Sequence, residues 1–386
     1  MDTGKVNLSQ VYIDRIRALH DDKISINNNK IKHLGHINID DHGFIHFPDF
    51  KFEARSNHPS GMVIGAKAIG ENFRRYLNEI PKYINPNSAL ATCWTGPLPA
   101  KMGFAPEDAP VHLRDTIKKY RILQPGCGAM NHLCPDMTIG LNLGWGGLLK
   151  KIRHYREFNR PADTTLYDGE EQLVLGIQEW VSAHAGYART LAAGERDESV
   201  AQNYLDIAEM NEWLVDNPPR TLREACQFIA HFQGVDRTYF GGGALNQIDE
   251  MFRPYYEGDI EKGIVTDEEA VWYFASLLFN DTHYAQLGGL SPDGSRDMAS
   301  RVSFLVLEAT HYLGIPQNIA VRVSPKANQT LLKRSLEYNL QDGTGVSYSC
   351  NVGCEEGYAK NGYPVQLGRM RVKSGCNWTA IPGVED

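Results

Sequence analysis

The sequence has no apolar run long enough to cross a bilayer, no block of basic residues and no regular cysteine framework. Each absence removes a class of function. The chain opens on the polar Met1-Asp2-Thr3-Gly4-Lys5 rather than an apolar signal core, so a cytoplasmic location with no membrane partner is expected. With 39 Lys and Arg against 47 Asp and Glu, the formal charge is -8 and both signs are mixed along the chain. That gives no electrostatic reason to expect a nucleic-acid partner. The cysteines, at Cys93, Cys127, Cys134, Cys226, Cys350, Cys354 and Cys376, are odd in number and scattered, unlike the disulfide set of a secreted domain. Internal repeats and low-complexity linkers are absent too. What is present is a globular chain of 386 residues, 42% hydrophobic, large enough for one large domain or two to three ordinary ones. Metabolite chemistry is the better prior.

Periodicity indicates many helices with interspersed strands. Alternating apolar positions in 36–40 and 44–47 could pair as a hairpin within residues 1–60, which read as an N-terminal extension. A helical face runs from Leu173 through Ile177, Trp180, Val181, His184 and Tyr187, and another covers Ala201, Tyr204, Leu205 and Ala208 before Pro218-Pro219 ends the region. Thr221-Leu222-Arg223-Glu224 and Thr266-Asp267-Glu268-Glu269 have the spacing of capping boxes, in which Thr and Glu satisfy free backbone donors at a helix start. Ile319, Val321 and Val323 alternate as a strand does, and a further helix follows near Leu331 to Leu340.

Several motifs then fall in order between residues 120 and 386. Asn131-His132-Leu133-Cys134-Pro135-Asp136 is followed by Leu141 and Gly144, then Pro218-Pro219-Arg220-Thr221 with Glu224-Ala225. Asp249-Glu250 precedes Pro254-Tyr255-Tyr256 and Asp259, and Gly288-Gly289, Asp293-Gly294, Asp297 and Leu307-Glu308-Ala309 continue the series. Arg322, Gly343-Thr344-Gly345, Asn351, Gly362 and Arg369 lead to Ser374-Gly375-Cys376. Each pair is weak alone, but the ordered set resembles the pyruvate formate-lyase-like domain of the glycyl radical enzymes. The resemblance implies an α/β fold, part of a ten-stranded α/β barrel surrounded by helices, with a cysteine loop inside. On that basis residues 61–386 are the first part of the barrel, ending just after the cysteine loop.

The resemblance makes Cys376 the residue that would carry a thiyl radical and abstract a hydrogen atom from the substrate. A thiyl is suited to this because its S–H bond is about as strong as an activated C–H bond, so protein control lies in excluding water and holding the substrate close. His132, His283, Tyr284, Gln286, Asn377 and Trp378 are the candidate substrate-binding residues. Cys354 with Glu356 is an alternative catalytic pair, since Gly353-Cys354-Glu355-Glu356 fits the family's Gly-Cys-x-Glu literally but lies too early. Trp378 stands where most family lyases carry a glutamate base, and an indole accepts no proton at neutral pH. It offers instead a flat wall for an aromatic or apolar substrate. Asn377 lacks the adjacent second cysteine that pyruvate formate-lyase uses to carry an acyl group. No metal site is expected, because Cys127, His132 and Cys134 lack a fourth partner, and Gly241-Gly242-Gly243 lacks the context of a phosphate loop.

The expected function is a radical lyase or decarboxylase, cleaving a C–C or C–heteroatom bond in anaerobic metabolism. A fumarate-adding radical synthase and a catalytically inactive structural partner of such an enzyme are the alternatives. No Arg-Val-x-Gly-Tyr segment, the family's radical-bearing loop, occurs in the sequence. The expectation is therefore a hetero-oligomer, in which a second polypeptide completes the barrel and carries the glycyl radical. A radical S-adenosylmethionine activating enzyme would install that radical, and this chain would bind no cofactor itself.

Overall fold

The computed structural model describes residues 2–35, 45–91, 96, 98–103, 105–108, 111–120, 134–239, 244–281, 284–343, 345–375 and 379–384. Helix α1 (Gln10–Leu34) opens the chain, followed by α2 (Ala66–Glu79), α3 (Arg114–Lys119), α4 (Met137–Asn159), α5 (Thr165–Gly194), α6 (Glu198–Leu214), α7 (Leu222–Tyr239), α8 (Ile248–Glu261) and α9 (Asp267–Asn280). Strand β1 (Ala285–Leu287), helix α10 (Arg301–Leu313), β2 (Ile319–Val323), α11 (Gln329–Asp342) and β3 (Ser347–Cys350) then alternate. Helices α12 (Asn351–Lys360) and α13 (Val365–Met370) and the short strands β4 (Val372–Lys373) and β5 (Thr379–Ala380) complete it.

Strands β1, β2 and β3 form a parallel sheet in that order, with Ala285 opposite Ile319 and Ala320 opposite Ser347. Parallel neighbours need a crossover, and α10 and α11 supply the two. Side chains alternate across a strand, so Ala285, Leu287, Ile319 and Val321 enter the main core beneath the helices, while Gln286, Ala320, Arg322, Ser347 and Ser349 share the other face. The helices expected from periodicity are present as α5, α6, α7, α9 and α11. Thr266 and Glu269 close a reciprocal capping box on α9. At α7, Thr221 Oγ1 accepts the Glu224 N–H at 3.3 Å, but the Glu224 carboxylate turns to the Arg220 N–H and guanidinium instead.

Helices α2 and α5 cross backbone to backbone: a Cβ at Gly70 would lie 2.2 Å from the Gly169 carbonyl oxygen, and one at Gly176 2.7 Å from Arg74 Cα. Arg74 Nε donates to Glu179 Oε2 at 3.0 Å across this crossing. Helix α4 breaks at Gly144, whose φ of 62° lets the chain pass against Asn217 and Pro218, where a Cβ would stand 2.4 Å from the Asn217 carbonyl carbon.

Residues 1–60, read above as an N-terminal extension, contribute α1, and Val6, Leu8, Ile16 and Leu19 join the same core as the other helices. The expected hairpin falls largely on 36–44, outside the described residues, and 45–47 are irregular. No helix among the described residues is long and apolar enough to cross a membrane.

Candidate functional site around the cysteine hairpin

Strands β4 and β5 pair antiparallel, Val372 with Ala380 and Lys373 with Thr379, and Cys376 belongs in the sequence to the segment 374–378 that joins them. Ser374 and Gly375 are buried. Cys376, Asn377 and Trp378 lie outside the described residues, as do His132, His283 and Cys127. What the structure defines is how the hairpin is held.

Its root lies on the face of the parallel sheet that carries Gln286, Ser347 and Ser349. Gln286, at the middle of β1, accepts the Lys373 N–H at 3.2 Å, while its amide donates to the Arg371 carbonyl at 3.2 Å and to Gln247 Oε1 at 2.9 Å. Lys373 Nζ donates to Ser347 Oγ on β3 at 2.8 Å. Arg371 is fully buried, and its guanidinium donates to Ser349 Oγ at 3.1 Å, the Cys350 carbonyl at 3.0 Å and the Gly368 carbonyl at 3.4 Å. Tyr284, Cys134 and Ala244 form a small apolar cluster with Val372, and Ala380 packs on it. The strands leading into and out of that segment are thus fixed from β1, β3 and the residues preceding α4 and α8.

A second layer holds those anchors. Asp249 is fully buried at the start of α8, where it accepts from Gly288 N at 2.7 Å, from Glu250 N at 2.9 Å, from Gln247 Nε2 at 2.6 Å and from Ser303 Oγ. Burial pushes its carboxyl up to about 6, with the Ser303, Gly288 and Gln247 donors pulling against that and the neighbouring Glu250 charge adding to it. Arg322 on β2 donates from Nε to Asn351 Oδ1 at 3.0 Å and lies flat on Gly289, where a Cβ would be 2.7 Å from its Nε. Arg369 sits against Gly294 in the same way and donates to Glu355 Oε2 at 3.1 Å.

The pyruvate formate lyase-like family model matches residues 119–386. The chain belongs to that family. A relative described as the 4-hydroxyphenylacetate decarboxylase glycyl radical subunit of Clostridioides difficile strain 630 is 25% identical over 367 residues, covering 82% of this chain and 39% of the relative. Among solved structures, one describing 1,2-propanediol dehydration in Roseburia inulinivorans superposes with a TM-score of 0.75 at 16% identity, over 99% of this chain and 55% of that one. A glycyl radical enzyme from Archaeoglobus fulgidus gives 0.71 at 16% identity, over 95% and 55%. The fold is therefore that of the family's α/β barrel, and the chain spans about two fifths of the length of the curated relative and about half that of the solved structures.

Within this pyruvate formate lyase-like chain, the two expected substrate residues that are described, Tyr284 and Gln286, are brought together on β1 and its approach, and both touch the hairpin root. Cys354 and Glu356 lie on α12, the first half-buried and the second exposed, while the carboxylate beside them, Glu355, is the one engaged by Arg369. Cys134 is buried and donates its thiol to Asn246 Oδ1. No cluster among the described residues could hold a metal ion. Arg371 and Lys373 were missed as anchors. A basic residue in a short alternating segment after a helix was the available signal.

Proposed function

We propose that this chain supplies the hydrogen-abstracting sulfur of a glycyl radical enzyme, with Cys376 as the thiyl residue. The observation that carries the reading is the strand pair: residues 371–373 are tied by side chains from β1 and β3 to one face of a parallel sheet, and Cys376 belongs to the five-residue segment, 374–378, that joins β4 to β5. Firmly anchored flanking strands suit a step that tolerates little error in distance. The Cys376 S–H hydrogen passes to a backbone carbon radical that lies outside residues 1–386, and the resulting thiyl takes a hydrogen from a substrate C–H. The substrate radical then undergoes cleavage, and the S–H hydrogen returns to the product radical.

Trp378 in place of a glutamate favours a lyase or decarboxylase whose acid or base comes from another position. Likeness to a decarboxylase over most of the chain supports this over a dehydratase. Asn377 and Trp378 would wall the substrate together with His132 and His283. Tyr284 and Gln286, expected as substrate ligands, act here as supports of the hairpin. We further infer that a radical S-adenosylmethionine activase installs the radical.

The test is electron paramagnetic resonance on the anaerobically activated enzyme, paired with Cys376→Ala. The variant is expected to keep the glycyl signal and lose turnover entirely. Retained turnover in Cys376→Ala, or its loss in Cys354→Ala alone, would move the radical to another sulfur. If neither variant changes an already absent activity while the fold persists, the chain is a structural partner.

A further inference from the structure

A cavity of about 430 Å³ opens at the root of the hairpin, between the starts of α4 and α8 and the end of α13, with Val372 and Pro382 contributing from either side of the segment 374–378. Its volume is in the range that small-molecule sites occupy, roughly 300–1,000 Å³. Four methionines, Met137, Met251, Met298 and Met370, make much of its wall. Methionine is flexible and polarizable, so such a wall adapts to the apolar body of a ligand.

One side chain in this wall has an unfinished set of hydrogen bonds. Arg322 is 2% exposed, its Nε is taken by the neutral Asn351 Oδ1, and its Nη2 has no acceptor and no access to water. No carboxylate forms an ion pair with it among the described residues. Behind it Asn351 Nδ2 and Arg371 Nε are also buried donors without acceptors, so the surplus is entirely of N–H groups. Burial and the neighbouring Arg371 charge pull the Arg322 guanidinium down to about 10, against the opposing pull of Glu355 and Asp249, which leaves it charged at neutral pH. The Glu355 and Asp249 carboxylates lie near enough to act on its charge, yet neither accepts from Nη2, and a buried N–H without an acceptor is costly to leave unmade. The other charged groups of the wall have partners. Arg369 is held by Glu355, Glu250 by Arg253 and Arg296, and Asp136 caps α4 through Thr138 N at 3.0 Å.

We propose that this cavity binds a small molecule carrying a carboxylate on an apolar body, with Arg322 receiving the carboxylate and the methionines enclosing the rest. A carboxylate is the acceptor that matches a guanidinium edge. Gly289 fixes where the guanidinium plane lies, because any larger residue would displace it. The site needs no radical and does not depend on the role of Cys376.

The chain of residues 1–386 is titrated by calorimetry with sodium benzoate, benzamide, sodium acetate and inorganic phosphate. Benzoate is expected to bind at least about tenfold more tightly than benzamide, which lacks the charge, and than acetate, which lacks the apolar body. Arg322→Gln should abolish that preference, Arg322→Lys should keep part of it, and Cys376→Ala should leave it unchanged. Should Arg322→Gln fail to fold, Met298→Glu, which sets a competing carboxylate in the wall, is expected to weaken benzoate by a similar factor. Equal binding of benzoate and benzamide, binding of phosphate without benzoate, or no benzoate binding at millimolar concentration would each overturn the proposal.

Discussion

His184 and His231 are buried side by side around Trp180, and their surroundings decide their protonation. His184 Nδ1 donates to the Trp180 carbonyl at 2.9 Å, and the Gln227 amide donates to His231 Nε2 at 3.0 Å, so both rings are held neutral. Burial pulls His184 down to about 3 and His231 well below its usual value. A group whose folded pKa is depressed binds its proton in the unfolded chain first, so stability is present above about pH 6.5 and is lost as pH falls. Each histidine adds up to about 1.4 kcal/mol of lost stability per pH unit between that point and its folded pKa. Urea midpoints measured from pH 7 to pH 4.5 should therefore fall more steeply for the native chain than for His184→Gln, with the variant's slope shallower by about one proton. Parallel slopes would show that His184 already titrates in the fold.

At the scale of elements, the crossing of α2 and α5 depends on glycines whose hydrogens touch a neighbouring backbone. Gly70→Ala forces its new carbon onto the Gly169 carbonyl, at 2.2 Å, and the helices must separate. Overpacking of this kind costs typically about 1–3 kcal/mol, and here, where the obstacle is backbone on both sides, the upper end is expected. Gly186→Ala, on the exposed side of α5 with nothing within 4 Å, should instead stabilise by roughly 0.5–1 kcal/mol. Chemical denaturation of the two variants checks the opposite signs. The same contacts explain which parts of the fold were legible in the sequence. Motif glycines such as Gly144, Gly289 and Gly294 sit where a second motif residue presses on them, namely the Asn217-Pro218 turn, Arg322 and Arg369, so their order along the chain encoded real contacts. Helix α1 was not legible because its inward face passes from Ile16 and Leu19 to Lys23, Asn27 and Lys30, polar residues that are nevertheless buried, Lys23 donating to the Phe279 carbonyl. The anchoring role of Gln286 was hidden for another reason: one polar residue in a three-residue strand has no pattern, and its partners Lys373, Arg371 and Gln247 are far away in the chain.

For the molecule as a whole, the parallel sheet sets the remaining problem. Parallel strands are normally covered on both faces and on their edges. Here β1 and β2 are buried, whereas β3 pairs with β2 alone among the described residues and leaves Tyr348 37% exposed. On α11, the helix between β2 and β3, Leu336 and Leu340, one turn apart, are 43% and 87% exposed. In the solved structures that superpose on it this chain matches 55% of the length. The prediction is that purified residues 1–386 self-associate through β3 and α11 at micromolar concentration and bind a hydrophobic dye. The double variant Leu340→Lys and Tyr348→Lys should lower both signals several-fold without lowering the melting temperature, because neither side chain is in the core. Sedimentation velocity separates the outcomes: a native chain that stays monomeric and dye-free would mean that β3 and α11 need no cover, and the barrel would then have to close by a different edge.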